Sequence, residues 1–271
     1  MHSSAPSELL ERVEASAWAE IQRAAVPEFR DRFGVQVLEH EGSTVLIAPK
    51  TDMLALNRVL ALGVTTPLRP EVLDELIDMF REAGAARCLM HWRPGAEPIE
   101  APDWFAERGF RAGSPQAKLV RRADRYADAP SDLSVIEVDT SMARDFGEIA
   151  ALGNELEDYM APGFNSTLGH IGWKHYLALD GGRPVAAAVL FAQDDVAWCG
   201  FAGTVIGHRG RGAQSALLAR RLRDAAALGC TWVTCETAED TAERPNPSFR
   251  NMRRLGFEIA YLRSNYVLTL T

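Results

Sequence analysis

Apolar residues recur at helical spacing across residues 7–25, SELLERVEASAWAEIQRAA, where Leu10, Val13, Ala17 and Ile21 form one stripe. VQVLEHEGSTVLIAP then reads as strand broken by a Glu-Gly-Ser turn, and LNRVLALGV continues extended. PEVLDELIDMFREAG sets Pro70 in a first turn and stops at Gly84, which predicts a helix. ARCLMHW follows as a strand, PDWFAERGF as a short helix closing at Gly109, and QAKLVRR as a further strand. Residues 122–132, RADRYADAPSD, are polar, contain a proline and read as a linker.

The pattern then begins again. LSVIEV is strand-like and SMARDFGEIAALG helical, with Ser141 in the capping position. NELEDYMAPGFNSTLGHIG fits neither period. HYLALDGGRPVAAAVLF predicts a hairpin on Asp180-Gly181-Gly182. DVAWCGFAGTVI predicts a long strand, GAQSALLARRLRDAAALG a helix ending at Gly229, TWVTCE a strand, NPSFRNMRRLGF a short helix, and the remainder a strand. Gly63, Gly84 and Gly109 correspond to Gly203, Gly229 and Gly256 at separations of 140, 145 and 147 residues, and "AERGF" answers "RRLGF". Duplication accounts for this order. The expected division is an N-terminal helix (1–30), a first domain (31–122), a linker (123–132) and a second domain (133–271).

Composition narrows the function. With 271 residues, 47 % of them hydrophobic and 24 % charged, the chain resembles an ordinary globular protein with room for two domains. A net charge of -8 argues against a general nucleic-acid binder, which needs clustered Lys and Arg. No apolar run approaches the roughly 18–20 residues that span a bilayer, and the start lacks a signal-peptide layout. The expectation is therefore a cytoplasmic protein with no membrane partner. Cys88, Cys199, Cys230 and Cys235 are scattered as reduced core thiols are. Cys230 and Cys235, at odd spacing in a strand-like run, are expected on opposite faces, so no metal is expected.

One local exception to the acidic balance stands out. Residues 209–223 hold five arginines and no acid. They begin in GHRGRGAQ, residues 207–214, where a strand gives way to a helix. Glycines let the main chain approach a ligand with bare N–H groups, and the helix adds the positive end of its dipole. The matching loop of the first half, TTPLRP, has two prolines and no glycine, so only the second copy is built to cradle a phosphate. A Walker A loop fails because Gly212 is followed by Ala213 and Gln214 rather than Lys-Ser/Thr. A dinucleotide fingerprint would need a glycine where Ser215 stands.

"RGRGAQSALL" after "AGTVI", with "NPSFRNMRRLGF" downstream, resembles the acetyl-CoA-binding core of the GNAT acyltransferase superfamily, whose loop reads Arg/Gln-x-x-Gly-x-Gly/Ala. Arg209 and Gly212 match, while Gln214 stands where a small residue is usual. The likeness covers residues 133–271 well and 35–121 in outline. It implies an α/β (α+β) fold of two tandem GNAT-like domains, each a mixed, mostly antiparallel sheet flanked by helices, the first a degenerate copy. It implies an acetyl-CoA-dependent N-acyltransferase acting on a small-molecule or peptide amine, as monomer or homodimer. Gly203, Thr204 and Val205 would hold the pantetheine arm. Arg209, Gly210, Arg211, Gly212, Ala213, Gln214 and Ser215 would hold the pyrophosphate, and Asn246 and Ser248 would flank the thioester.

The family's usual tyrosine, four residues before the terminal Gly-Phe, is Met252 here, and a thioether donates no proton. Ser248, Tyr261 and Tyr266 are the alternatives. Glu236, ending TWVTCE, is the first candidate base, followed by Glu155, Glu157 and Asp158, of which Glu155 and Asp158 are candidates for binding the amine. A catalytically silent CoA- or acyl-CoA-binding sensor stands beside the enzyme reading.

Overall fold

The computed structural model describes residues 6–124, 129 and 131–270, so part of the expected linker lies outside the described residues. The first half runs α1 (Ser7–Arg23), α2 (Pro27–Phe33), β1 (Gln36–His40), β2 (Ser43–Ile47), β3 (Arg58–Leu60), α3 (Pro70–Ala83), β4 (Arg87–Trp92), α4 (Ala101–Glu107), β5 (Arg111–Ala112) and β6 (Gln116–Arg122). The second runs β7 (Ser134–Glu137), α5 (Ala143–Gly153), α6 (Ala161–Phe164), β8 (Trp173–Asp180), β9 (Arg183–Gln193), β10 (Val196–Thr204), α7 (Ala213–Ala227), β11 (Trp232–Ala238), α8 (Pro247–Arg254) and β12 (Glu258–Thr269). From the two consecutive helices onward, the halves repeat one another.

Local chemistry explains most of these elements. α3 buries Val72, Leu73, Leu76, Ile77 and Phe80, and ends on Gly84 in the left-handed conformation that glycine adopts without strain. Pro70 opens it, as the pattern predicts. α2 was not evident from periodicity: it is seven residues long and buries only Phe29 and Phe33. Ser141 is not the cap of α5. Asp139 caps a preceding 3-10 turn, Thr140–Met142, by accepting the Ser141 N–H, and α5 follows from Ala143.

All the strands join one mixed sheet in the order β1-β2-β3-β4-β12-β6-β11-β10-β9-β8-β7, with β5 on β12. Among the described residues only β3–β4 and β10–β11 pair in parallel. The halves meet by exchanging their last strands. β6, from the first half, lies between β11 and β12, with Glu236 opposite Lys118 and Lys118 opposite Tyr261. β12 passes in the other direction: its start pairs with β6, and residues 264–269 continue onto β4.

Helices cover both faces. On one face α7 and α8 pack Leu217, Leu218, Leu222 and Met252 against Ala186, Ala188, Ala197 and Cys235. On the other, α1 and α2 join α5 and α6 over Leu177, Ala187, Val189 and Trp198. α1 therefore sits between the halves, touching β10 of one and β1–β3 of the other. Cys230 and Cys235 line the same core rather than opposite faces, because Cys230 precedes β11 and escapes its alternation. No described helix is long and apolar enough to cross a membrane.

Candidate active site

β10 and β11 pair only from Val196 opposite Trp232 to Trp198 opposite Thr234. Beyond that point β10 stays on β9 as far as Thr204, while β11 stays on β6 as far as Ala238. The two parallel strands therefore separate in mid-sheet. A bulge between Gly200 and Gly203 accompanies the separation, with Phe201 at φ +47°. Gly200 admits the Trp198 indole, whose ring would lie 1.9 Å from a Cβ there. Gly203 has a packing reason: a Cβ would stand 2.6 Å from the backbone of Gly153 at the end of α5.

β10 leads into the glycine-arginine loop and α7. The Val205 N–H is taken by Val185 O at 3.0 Å, so it is not a free donor for a thioester carbonyl. The Thr204 carbonyl accepts from Arg209 Nε at 3.1 Å. The Arg209 N–H is taken by Ile206 O at 3.2 Å. The N–H groups of Gly210, Arg211, Gly212, Ala213, Gln214 and Ser215 meet no protein acceptor among the described residues, and the first bond into α7 is Ala216 N–H to Gly212 O. Six consecutive donors at a helix start fit an anionic group. Gly210 and Gly212, at φ +78° and +83°, make that turn.

Neither loop arginine is idle. Arg209 Nη2 donates to Glu155 Oε1 at 2.6 Å, and Arg211 bonds both oxygens of Asp180 at the β8–β9 turn. The Arg211 guanidinium holds Asp180 below the usual carboxylate range. His208 lies beside the same carboxylate at 3.4 Å. These pairs are exposed and of small net worth, so a diphosphate can compete for the guanidinium groups. Glu155 thus belongs to the loop. Asp158 is exposed, and its carboxylate bonds nothing among the described residues.

Gln214 ties the first turn of α7 to α8: its Nε2 donates to Ser248 Oγ at 2.6 Å, and its Oε1 accepts from Asn251. Ser248 keeps its own hydroxyl proton for another acceptor. Asn246 caps α8 through the N–H groups of Ser248 and Phe249, and reaches Thr237 and Ala238 at the end of β11. Met252 lies in the core with its sulfur 3.3 Å from that of Cys235. Tyr261 donates to Glu11, and Tyr266 stacks on Phe105 in the first half.

Glu236 closes the other side of the opening. Its side chain is 13 % exposed, both oxygens accept from Trp198 Nε1 at 2.9 and 3.0 Å, and Lys118 Nζ is 3.5 Å away. Burial, then the Glu14 carboxylate, raises its pKa above the ordinary value, against the pull of Lys118 and Arg263. Around it runs a buried polar band that periodicity did not reveal. Lys118 bonds Glu14, and Arg263 bonds Glu11 at 2.8 Å and Glu14, all beneath α1. Burial raises Glu14, yet Arg263 and Lys118 hold it well below the carboxylate range. Burial lowers Lys118, yet Glu14, Glu11 and Glu236 keep it above its ordinary value. The available signal was charge on a buried stripe: Glu14 sits between Leu10 and Ala17, and Lys118 between Ala117 and Leu119.

The corresponding loop of the first half has no such run of donors. Pro67 and Pro70 have no N–H, Leu68 N–H bonds Glu97 O at 2.9 Å, and Thr65 fills the space beside Gly42 of the β1–β2 turn.

No protein-family model matches the sequence, and no curated protein does. Solved structures do match. A GCN5-related N-acetyltransferase from Kribbella flavida superposes with a TM-score of 0.63 at 21 % identity, over 92 % of this chain and 94 % of that one. One from Sphaerobacter thermophilus gives 0.61 at 16 % identity, over 98 % and 94 %. A tandem GNAT protein from the clavulanic acid biosynthesis pathway gives 0.57 at 17 % identity, over 78 % and 74 %. The fold is that of the GCN5-related N-acetyltransferases. The third of these structures is itself a tandem arrangement.

Proposed function

We propose that the chain is an acetyl-CoA-dependent N-acyltransferase that moves an acetyl group to an amine of a small molecule or peptide. The observation that carries this reading is the row of six N–H groups, residues 210–215, that meet no acceptor among the described residues, beside the separation of β10 from β11. Acetyl-CoA supplies a thioester, whose C–S bond breaks as the amine nitrogen bonds the carbonyl carbon. The loop donors hold the diphosphate, with Arg209 and Arg211 turning from Glu155 and Asp180 to assist. Glu236 takes the proton that the amine loses, directly or through a water. Ser248, fixed by Gln214, offers its hydroxyl to the departing sulfur. A thiol's ordinary pKa of about 8.5 lets the thiolate leave and take its proton from water.

Gly210→Trp tests the assignment. A Cβ at Gly210 meets nothing within 4 Å, so the fold stands apart from the strain of a left-handed non-glycine residue, about 1–2 kcal/mol. Calorimetry should show acetyl-CoA affinity reduced at least about tenfold. Undiminished binding in a folded variant would remove the loop from the site. The buried Met252, which leaves no hydroxyl at the family's usual acid position, favours a second reading, a CoA-binding sensor. Binding without thiol release across a broad amine panel selects it.

A further inference from the structure

Arg58, on β3 of the first half, is 5 % exposed and enters the buried band from the side away from Glu236. Its Nη1 lies 3.4 Å from His91 Nε2, and His91 Nδ1 lies 2.8 Å from Asn265 Oδ1. Asn265 Nδ2 donates to Ser114 O, so Oδ1 is an acceptor, His91 carries its proton on Nδ1, and Nε2 accepts from Arg58. That satisfies one corner of the guanidinium. Among the described residues Arg58 Nε and Nη2 have no partner, and neither has Trp18 Nε1 nor, one turn further along α1, the Gln22 amide.

Each other cation of the band bonds a carboxylate, although Arg263 Nε has no partner among the described residues. Arg263 bonds Glu11 and Glu14, and Lys118 bonds Glu14, whereas no carboxylate among the described residues bonds Arg58. Its guanidinium lies 3.9 Å over the Trp18 ring. Trp18 packs edge-on against Phe201 at 5.0 Å and Trp198 at 6.4 Å, and Trp198 holds Glu236. Orphaned donors and candidate base thus flank one aromatic patch at the bulge. Arg58 Nε, Arg58 Nη2 and Trp18 Nε1, three nitrogens without an acceptor among the described residues, suit an anion, and a carboxylate offers two oxygens to a guanidinium edge and an indole N–H. A buried donor left unmatched is costly, so a ligand that matches it is favoured.

We propose that Arg58 and Trp18 form a carboxylate subsite for the acceptor, which is therefore an amine that also carries a carboxylate, selected by the first half of the chain. The proposal rests on the acyl-transfer reading of the Glu236 site. It also gives the first half, whose own loop lacks that run of donors, a part in recognition.

The test is a titration of the protein, in the presence of saturating CoA so that no transfer occurs, with 4-aminobutyrate, β-alanine and leucine and with the carboxamide of each, followed by calorimetry, and acetyl transfer from acetyl-CoA to each is assayed separately. At least one acid should bind at least about tenfold more tightly than its amide. Arg58→Gln should erase that preference and leave acetyl-CoA affinity unchanged. Equal binding of acids and amides, no binding of any acid, or a preference that survives in Arg58→Gln overturns the proposal. If Arg58→Gln fails to fold, the wild-type comparison decides alone. An acid preference without acetyl transfer would sink the acyl-transfer reading and leave the subsite. Acetyl transfer without acid preference would do the reverse.

Discussion

At Glu236, burial and the Glu14 carboxylate raise the pKa while Lys118, Arg263 and the Trp198 N–H oppose them. The net upward shift moves a carboxylate toward the range where it can accept a proton from an amine near neutrality. The carboxylate is the active form, so kcat/KM should rise with pH through an apparent pKa above the ordinary glutamate value of about 4.3. Activity is lost as pH falls through that pKa. Glu236→Gln keeps the size and one acceptor for Trp198 but cannot take a proton. Turnover should fall about 100-fold or more, the acidic limb should vanish from the pH profile, and acetyl-CoA affinity should stay within about twofold. Steady-state kinetics across pH, with calorimetry on the same variant, reads all three. An unchanged rate would take Glu236 out of the mechanism.

Among the elements, a helix on the opposite face reaches the start of the bulge that accompanies the separation of β10 from β11. Arg221 of α7 is 1 % exposed, and its Nη1 donates to Val189 O at 3.2 Å and Gly200 O at 3.4 Å, two carbonyls paired in register at the start of the bulge. Arg221→Met keeps the apolar stem and removes those donors. It should cost about 1–3 kcal/mol of folding stability and weaken acetyl-CoA binding, because the bulge is then free to relax. Exposed Arg223→Met serves as the control, and denaturant melts with calorimetry would separate them. Equal effects would mean that Arg221 does not shape the opening. Much of this scale was legible beforehand. The glycine and proline punctuation placed α3, α7 and the Asp180 hairpin, since those signals are local. The loop's donors were legible from its glycines except at Arg209, whose expected free N–H bonds Ile206 O. The Glu14, Lys118, Arg58 and Arg263 band was not legible, because sequence position does not say which charges meet across five strands.

For the whole molecule, the exchange of β6 and β12 settles how the halves hold together. The alternation in QAKLVRR announces a strand but not its partner, since register between distant segments is a tertiary property. Each half lacks a strand of its own sheet that only the other supplies: β11 needs β6, and β4 needs residues 264–269. α1 adds a buried ionic lock, with Glu11 and Glu14 of the first half on Arg263 near the end of the second. Separating the halves would expose sheet edges and strand these charges, and removing one partner of a buried pair costs about 3–5 kcal/mol. A chain cut between Asp124 and Ser131 should therefore remain one particle on size exclusion without denaturant and melt in one transition. The fragment 1–124 alone should show no cooperative melt, and adding the fragment 131–271 should restore it. Two fragments that each fold and elute independently would show that the exchanged strands are dispensable, and that the chain is two autonomous domains in series.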